Sequence, residues 1–398
     1  MCREIISVVK VMPLRMAALL LATVFALCAH GAVWESRVVD AVTGRPLAFA
    51  SVKATGGRST ITNVDGWFKL VCDSAESVDV SFVGYSSVTV RPQSCRSAVA
   101  LQPMSVQLAE VVVMPVDKIV KAVTAEARRQ MKKKRRLTST FFYRQMSSAD
   151  GECIEVLEAF FKGKPVVTLR DLSLAYGRYA ALKPDSTTYR AFFGNFFTYS
   201  QLELVGGKEP DCSQDVMPLV DNFAEYYDVG LRVISDGKRR LLVLIFRPRP
   251  EVARPILECE LYVDTDNYHI LRCKGKGLNM RVLNTVGQLN VVSKVDKMEF
   301  DANYTDADGY SELLSVSVQL SFEFNHTRSS ISSLLFNVGN RMKLRHGRYM
   351  LFFDKLQNKI DRQGYDVDFW RKNEIVKRTP LEEEAVKMFE HRNLFGAF

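Results

Sequence analysis

Val38-Val39-Asp40, Thr43-Gly44-Arg45-Pro46-Leu47, Ala50-Ser51-Val52, Asn63-Val64-Asp65-Gly66-Trp67-Phe68 and Phe82-Val83-Gly84-Tyr85 are the spaced fragments of one stretch, 38–85, whose reading decides the fold. Short apolar/polar alternations are separated by turn residues at intervals of about 8–12 positions, the pattern of an antiparallel sandwich rather than of βαβ units. Seven strands are expected, near 33–39, 50–55, 59–62, 67–71, 78–83, 88–90 and 98–101. Phe68 and Leu70 share one face with Lys69 on the other, and Val78, Val80 and Phe82 oppose Asp79 and Ser81, so each strand has one core face. Thr43-Gly44, Gly56-Gly57 and Asp65-Gly66 supply residues that tolerate positive φ and mark reversals of the chain.

The order D-x-x-T-G-x-P-L-x-x-A-x-V, then N-x-D-G-x-F, then F-x-G-Y resembles the carboxypeptidase regulatory-like domain. That domain is a transthyretin-like β-sandwich common in exported, often uncharacterised cell-envelope proteins of the Bacteroidota. The resemblance covers 33–102 and departs from the pattern at Ser36, where the family usually has glycine. It implies a secreted protein with an accessory module at its N-terminus, a spacer or interaction unit that brings no catalytic residues.

The chain has 398 residues, enough for two or three domains, and 47% hydrophobic with 25% charged residues excludes both general disorder and a polytopic membrane protein. An apolar run at 16–28 preceded by basic residues and followed by Ala29-His30-Gly31-Ala32 reads as a signal peptide, 1–31, with cleavage after Gly31. Met12 offers a more usual start than Met1. Cys28 follows the apolar run, but Leu27 before it is larger than the residue lipidation requires. The formal charge of +9 falls to +7 once the leader's three cations and one carboxylate are removed. One cluster equals that excess: Arg128, Arg129, Lys132, Lys133, Lys134, Arg135 and Arg136.

Those cations end the expected linker, 104–137. In it Leu108-Ala109-Glu110-Val111-Val112-Val113 resembles the segment that follows this domain in outer-membrane receptors, and a helix N-capped by Asp117 buries Ile119, Val120, Val123, Ala127 and Met131. Two readings fit the cations: complementing the helix dipole, or contacting an anionic membrane surface or acidic partner. Export argues against nucleic acid.

Export also places six cysteines in an oxidising space. Cys259 and Cys273 lie on the apolar faces of successive strands, and a turn at Thr265-Asp266-Asn267 sets them opposite each other as a candidate disulfide. Cys72 and Cys95 are a second pair, and buried free thiols are the other reading throughout.

From 138 to 398 the chain reads as long hairpins. The clearest strand alternates Val316, Val318, Leu320, Phe322 and Phe324 with Ser317, Gln319, Ser321 and Glu323, a strand wet on one side and buried on the other. Thr379-Pro380-Leu381-Glu382 is a capping box opening a helix with Leu381, Ala385, Met388 and Phe389 on its apolar side. Phe142-Tyr143-Arg144-Gln145 and Glu260-Leu261-Tyr262-Val263-Asp264 resemble segments of exported proteins that carry the same N-terminal domain, and the second is similar to hairpins of periplasmic lipoprotein-carrier folds. The expected fold is mainly β: a seven-stranded sandwich at 33–103, then a larger antiparallel β domain, an open, curved meander with a linker helix and a C-terminal helix.

No zinc spacing, nucleophile elbow, phosphate loop or Cys-x-x-Cys is present. Asp301, Asn303, Asp306 and Asp308 fail the calcium-loop spacing, and nothing selects Glu155 and Glu158 as an acid/base pair. Tyr189, Phe192, Phe193, Phe196, Phe197 and Tyr199 crowd six aromatics into eleven residues, either core or a rim that holds an apolar ligand or protein partner. The expectation is a non-enzymatic binding or scaffolding protein of the periplasm or the periplasmic face of the outer membrane, without cofactor or metal. The alternatives are a lipid or lipoprotein carrier using the concave face of the β domain, and an enzyme of unrecognised type.

Overall fold

The structure is a computed structural model that describes residues 32–73, 75–92, 98–107, 115–132, 138–182, 204–206, 216–286, 289–307, 309–324, 326–339, 344, 347–349, 356–373 and 376–396. The chain is mainly β. Strands β1 (Ala32–Asp40), β2 (Ser51–Ala54), β3 (Ser59–Ile61), β4 (Trp67–Cys72), β5 (Val78–Ser81), β6 (Val88–Val90) and β7 (Val99–Leu101) form two facing sheets, ordered β4-β1-β7 and β3-β2-β5-β6. Only β1 and β7 run parallel among these pairs. The alternation does what its period requires: Val52, Phe68, Leu70, Val78 and Val80 meet in one core with Val38 and Leu101.

The polar residues of the opening stretch hold its turns. Asp40 Oδ1 accepts hydrogen bonds from the amides of Val42 and Thr43, each 2.8 Å, and Asn63 Oδ1 accepts from those of Asp65 and Trp67 at 3.0 and 2.9 Å. Gly66 sits at φ +77, and a Cβ there would lie 2.7 Å from the Val38 carbonyl oxygen. Only glycine fits that close crossing.

The largest sheet is a long antiparallel meander. Strands β8 (Ser105–Gln107), β9 (Ser139–Ala149), β10 (Glu152–Val166), β11 (Thr168–Ala181), β12 (Tyr227–Ser235), β13 (Arg240–Pro248), β14 (Ile256–Asp264) and β15 (Ile270–Leu278) are followed by the separate hairpin β16 (Arg281–Val286) and β17 (Leu289–Lys294). Then come β18 (Lys297–Ala307), β19 (Tyr310–Phe324), β20 (Thr327–Gly339) and β21 (Arg348–Tyr349), giving the order β21-β11-β10-β9-β20-β19-β18-β15-β14-β13-β12-β8. The segment expected as a linker belongs to this unit. Its β8 pairs with β12, and helix α1 (Val116–Lys132) lies on the inner face. The helix begins at Val116, so Asp117 stands in its first turn rather than at the N-cap. Ile119, Val120, Val123 and Ala127 are buried with Tyr143, Leu157, Leu261 and Phe300, and Met131 packs at the edge.

The outer face is not the wet side that strand alternation suggests. Helices α2 (Leu356–Asp361), α3 (Val367–Lys372) and α4 (Pro380–His391) follow the meander, and α3 and α4 cover the outer face of β9–β11. Helix α2 reaches β11 at Gly177, where a Cβ would lie 2.3 Å from Ile360 Cγ1. Helix α4 carries the complete capping box at Thr379 and Glu382 and buries Ala385, Val386 and Phe389, while Leu381 points to solvent. Thr379→Ala removes the cap and is expected to cost about 1 kcal/mol of stability, read as a lowered urea midpoint with an unchanged slope. No helix among the described residues is long and apolar enough to cross a membrane.

Candidate functional site

The sandwich docks on the outer face of the meander, and the residues that make its sequence pattern form the contact. The Gly84 carbonyl oxygen accepts a hydrogen bond from the Met104 amide at 2.8 Å, and Val83 and Met104 pack with Ile234, Val243, Tyr262 and Leu271 of the sheet. Arg272 on β15 spans the junction. Its guanidinium donates to both carboxylate oxygens of Asp301, to the Val83 carbonyl at 3.2 Å, and lies 4.1 Å from the Phe82 ring centroid. Burial works against the Arg272 charge, but the Asp301 carboxylate outweighs it and raises the guanidinium above its ordinary pKa. On the sandwich side, the Tyr85 hydroxyl donates to Asp40 Oδ2 at 2.8 Å, and burial together with that bond pushes the phenol up to about 12.

A second bridge lies at the far end of the interface. Lys377 pairs with Glu35 and its ammonium sits 5.5 Å from the Trp67 ring. Phe49, at φ +62, packs with Phe142, Phe336, Leu334 and Trp370. A bulky side chain rarely adopts that backbone conformation, so the packing must hold it there.

Between these anchors the two units stand apart and leave an open cleft of about 770 Å³. One wall is the outward face of β2 and β5, where Ser51, Lys53 and Ser81 project. The other is built from β18 and β19, where Asn303 and Glu312 project from the outer face, and from the adjoining ends of β9 and β20, which contribute Ser139 and Asn337. Glu312 Oε1 accepts from Ser139 Oγ at 3.1 Å and from Asn337 Nδ2 at 3.4 Å. Two register irregularities, at Asn303/Tyr304 and at Asn337/Gly339, each set one extra residue into the floor: Leu314 and Val338.

A separate polar cluster lies beneath α4. The Glu158 carboxylate, 1% exposed on β10, accepts from Arg144 Nε at 2.7 Å and Arg178 Nε at 2.8 Å, and Arg378 Nη2 stands 3.6 Å away. Burial alone would raise the carboxyl, but Arg178, Arg144 and Arg378 hold it well below the usual range. Arg178 also bonds Glu390 at 3.1 Å and stacks on Trp370 and Phe395. Glu155 lies on the other face of the strand and accepts the Tyr179 hydroxyl, so the two carboxylates do not form an acid/base pair.

Several residues singled out by the sequence fall elsewhere. Tyr189, Phe192, Phe193, Phe196, Phe197 and Tyr199 lie outside the described residues, as do Lys133, Lys134, Arg135 and Arg136. Arg128 is committed to Asp221 at 2.6 Å and to the Gly206 carbonyl at 3.1 Å, Arg129 to Glu126, and Lys132 is exposed. Asp301 pairs with Arg272, whereas Asp306 accepts from Asn267 at 2.9 Å and lies 3.0 Å from His269 Nδ1, so these acids do not converge. Among the described residues no group of three or more His, Cys, Asp or Glu side chains is arranged to hold a metal ion.

The candidate disulfide needs correction. Cys259 stands opposite Gly275, and Cys273 opposite Leu261, two positions off the expected pairing: the turn is one residue longer, with the Asp264 amide donating to the His269 carbonyl, and a register shift at Tyr262/Val263 adds one more. The thiols are therefore diagonal neighbours, both free and buried, and joined by a sulfur hydrogen bond. Burial raises the Cys273 thiol well above its ordinary pKa. Both are expected to resist iodoacetamide at pH 8 in the folded protein and to be alkylated in denaturant, with mass spectrometry counting the adducts. Cys72 is likewise free and buried, and Cys95 lies outside the described residues.

The sequence does not bring the cleft's lining together, and it offers Asn303 and Asp306 only as parts of a loop that fails the calcium spacing. The signal of the lining was the run of Ser, Asn and Glu on the polar faces of β18–β20, which reads equally well as a solvated surface. The sequence matches no protein-family model and no curated protein. Its structure is similar to that of a DUF1329 family protein from Desulfovibrio piger over 59% of this chain and 95% of that chain, at 12% identity and a TM-score of 0.20, a likeness too slight to carry an argument.

Proposed function

We propose that the protein is a non-enzymatic binding or scaffolding protein of the cell envelope, its N-terminal sandwich a carboxypeptidase regulatory-like module. It works through the cleft between that module and the outer face of the larger β domain. The observation that supports this reading is the cleft itself: two units pinned together at Arg272 and Lys377 yet held apart by two polar sheet faces. Sheet faces that serve only to pack are apolar and meet about 10 Å apart. The lipid-carrier alternative needs room on the concave face, where α1 and the side chains of Val216, Leu219, Val220 and Phe223 already pack.

A photo-crosslinking amino acid at Lys238, on the rim of the cleft, tests the reading in intact cells. The expected product contains an envelope component and fractionates with the periplasm or outer membrane. A protein found free in the cytosol, with no envelope adduct, would overturn it.

A further inference from the structure

We infer that the cleft between the sandwich and the meander is a binding site for a neutral, polyhydroxylated ligand, a saccharide chain. This deepens the envelope-binding reading and rests on it for the biological setting only.

The first support is a buried acceptor without a partner. Asn303 is 3% exposed, and its Nδ2 donates to Asp301 Oδ1 at 3.2 Å and to Ser315 Oγ at 3.4 Å. A carboxylate accepts only, so the amide is fixed with its oxygen on the other side. Asn303 lines the cleft, and its Oδ1, itself closed off from solvent, has no hydrogen-bond partner. Buried acceptors are rarely left unmet in a folded protein, and a small shift of the amide toward the cleft would let a ligand hydroxyl satisfy this one.

The walls define the chemistry of the ligand. Their strands are mutually paired, β2 with β3 and β5 on one side and β18, β19, β20 and β9 in succession on the other. Backbone donors and acceptors are thus consumed within the sheets, and a peptide could not add as a strand. Recognition must use side chains, and these include short hydroxyls and amides, with Ser51 opposite Ser81 on the sandwich and Asn303, Asn337 and Ser139 across the gap, beside the aromatic Phe49, Phe82 and Tyr85. The charged groups that border the cleft cancel, with Lys53, Lys238 and Arg239 against Asp236, Asp306 and Glu312. A strongly charged ligand would find no net field. Leu314 and Val338, delivered by the two bulges, give the floor apolar spots beside the polar groups. A sugar ring presents both hydroxyl edges and C–H faces and fits such a mixture.

The test is isothermal titration of the purified full chain with neutral hexasaccharides of glucose, N-acetylglucosamine, mannose and xylose. At least one is expected to bind. Ser81→Trp, which fills the cleft from an exposed strand position, is expected to abolish that binding with an unchanged melting temperature. Asn303→Ala is expected to weaken it about tenfold, the loss of one buried hydrogen bond. Absence of binding by all four sugars at millimolar concentration overturns the inference, as does binding that Ser81→Trp leaves intact. Retention of a peptide library instead, blocked by Ser81→Trp, also overturns it. If the sugars fail while the Lys238 adduct with an envelope component persists, only the saccharide assignment falls. Sugar binding by a protein found in the cytosol removes the envelope reading and keeps the site.

Discussion

Replacing Glu158 by glutamine is expected to destabilise the folded chain by about 3–5 kcal/mol, the usual consequence of removing one partner from a buried ionic cluster. Three guanidiniums converge on this carboxylate, two of them within hydrogen-bond distance, and neither Arg144 nor Arg178 has solvent to turn to. Glutamine keeps the shape and loses the charge, so the positive side chains face one another in a low-dielectric site. Urea unfolding measures the loss, and hydrogen exchange should place it in β9–β11 and α4, the elements the cluster joins. The pH dependence follows from the direction of the shift. A carboxyl held below its ordinary value of 4.5 contributes its full stabilisation above that value and loses it as the pH falls through the lower, folded value. The difference between wild type and Glu158→Gln is therefore expected to be constant from pH 6 to 8 and to shrink only in strong acid. A companion variant separates ionic from packing effects: Arg144→Met, Glu158→Leu and Arg178→Met together should be far less damaging than Glu158→Gln alone, since no charge is left behind. A Glu158→Gln loss below about 1 kcal/mol would mean that water reaches the cluster.

The contrast between what the sequence displayed and what it concealed follows from the range of the interactions. The seven sandwich strands were legible because turn residues such as Gly44 and Gly66 are local signals, and so was the Thr379 capping box. The meander's strands were visible one by one, but not that β9 pairs with β20 nearly two hundred residues later. Alternation shows that one face of β19 is polar; it does not show whether water or another domain covers it. Ser315 and Ser317 are buried, although they lie on the face that looked wet. Register was the other hidden quantity. A turn one residue longer and one irregularity between β14 and β15 together moved Cys273 two positions away from Cys259. The cleft was hidden for both reasons, since its walls belong to units that are distant in sequence and its floor is shaped by bulges.

Arg272→Met is expected to detach the sandwich from the sheet while leaving its own core folded. The guanidinium is the one group at this junction that touches Asp301, the Val83 carbonyl and the Phe82 ring together. Methionine retains much of the side-chain volume and none of the five donors. Asp301 then remains in a largely buried setting with Asn303 as its remaining side-chain donor among the described residues, a loss of about 3–5 kcal/mol for a broken buried pair. The contact with Phe82 adds about 2 kcal/mol where such a cation is desolvated. Arg272→Lys should recover little, because an ammonium cannot bond both oxygens of Asp301 and reach Val83 from one plane. Limited proteolysis reads the outcome: cleavage near Pro103, slow in the wild type, is expected to become fast in both variants, releasing a stable N-terminal fragment. The wild-type pattern in Arg272→Met would show that Phe49, Met104 and the Lys377–Glu35 pair hold the two units together without it.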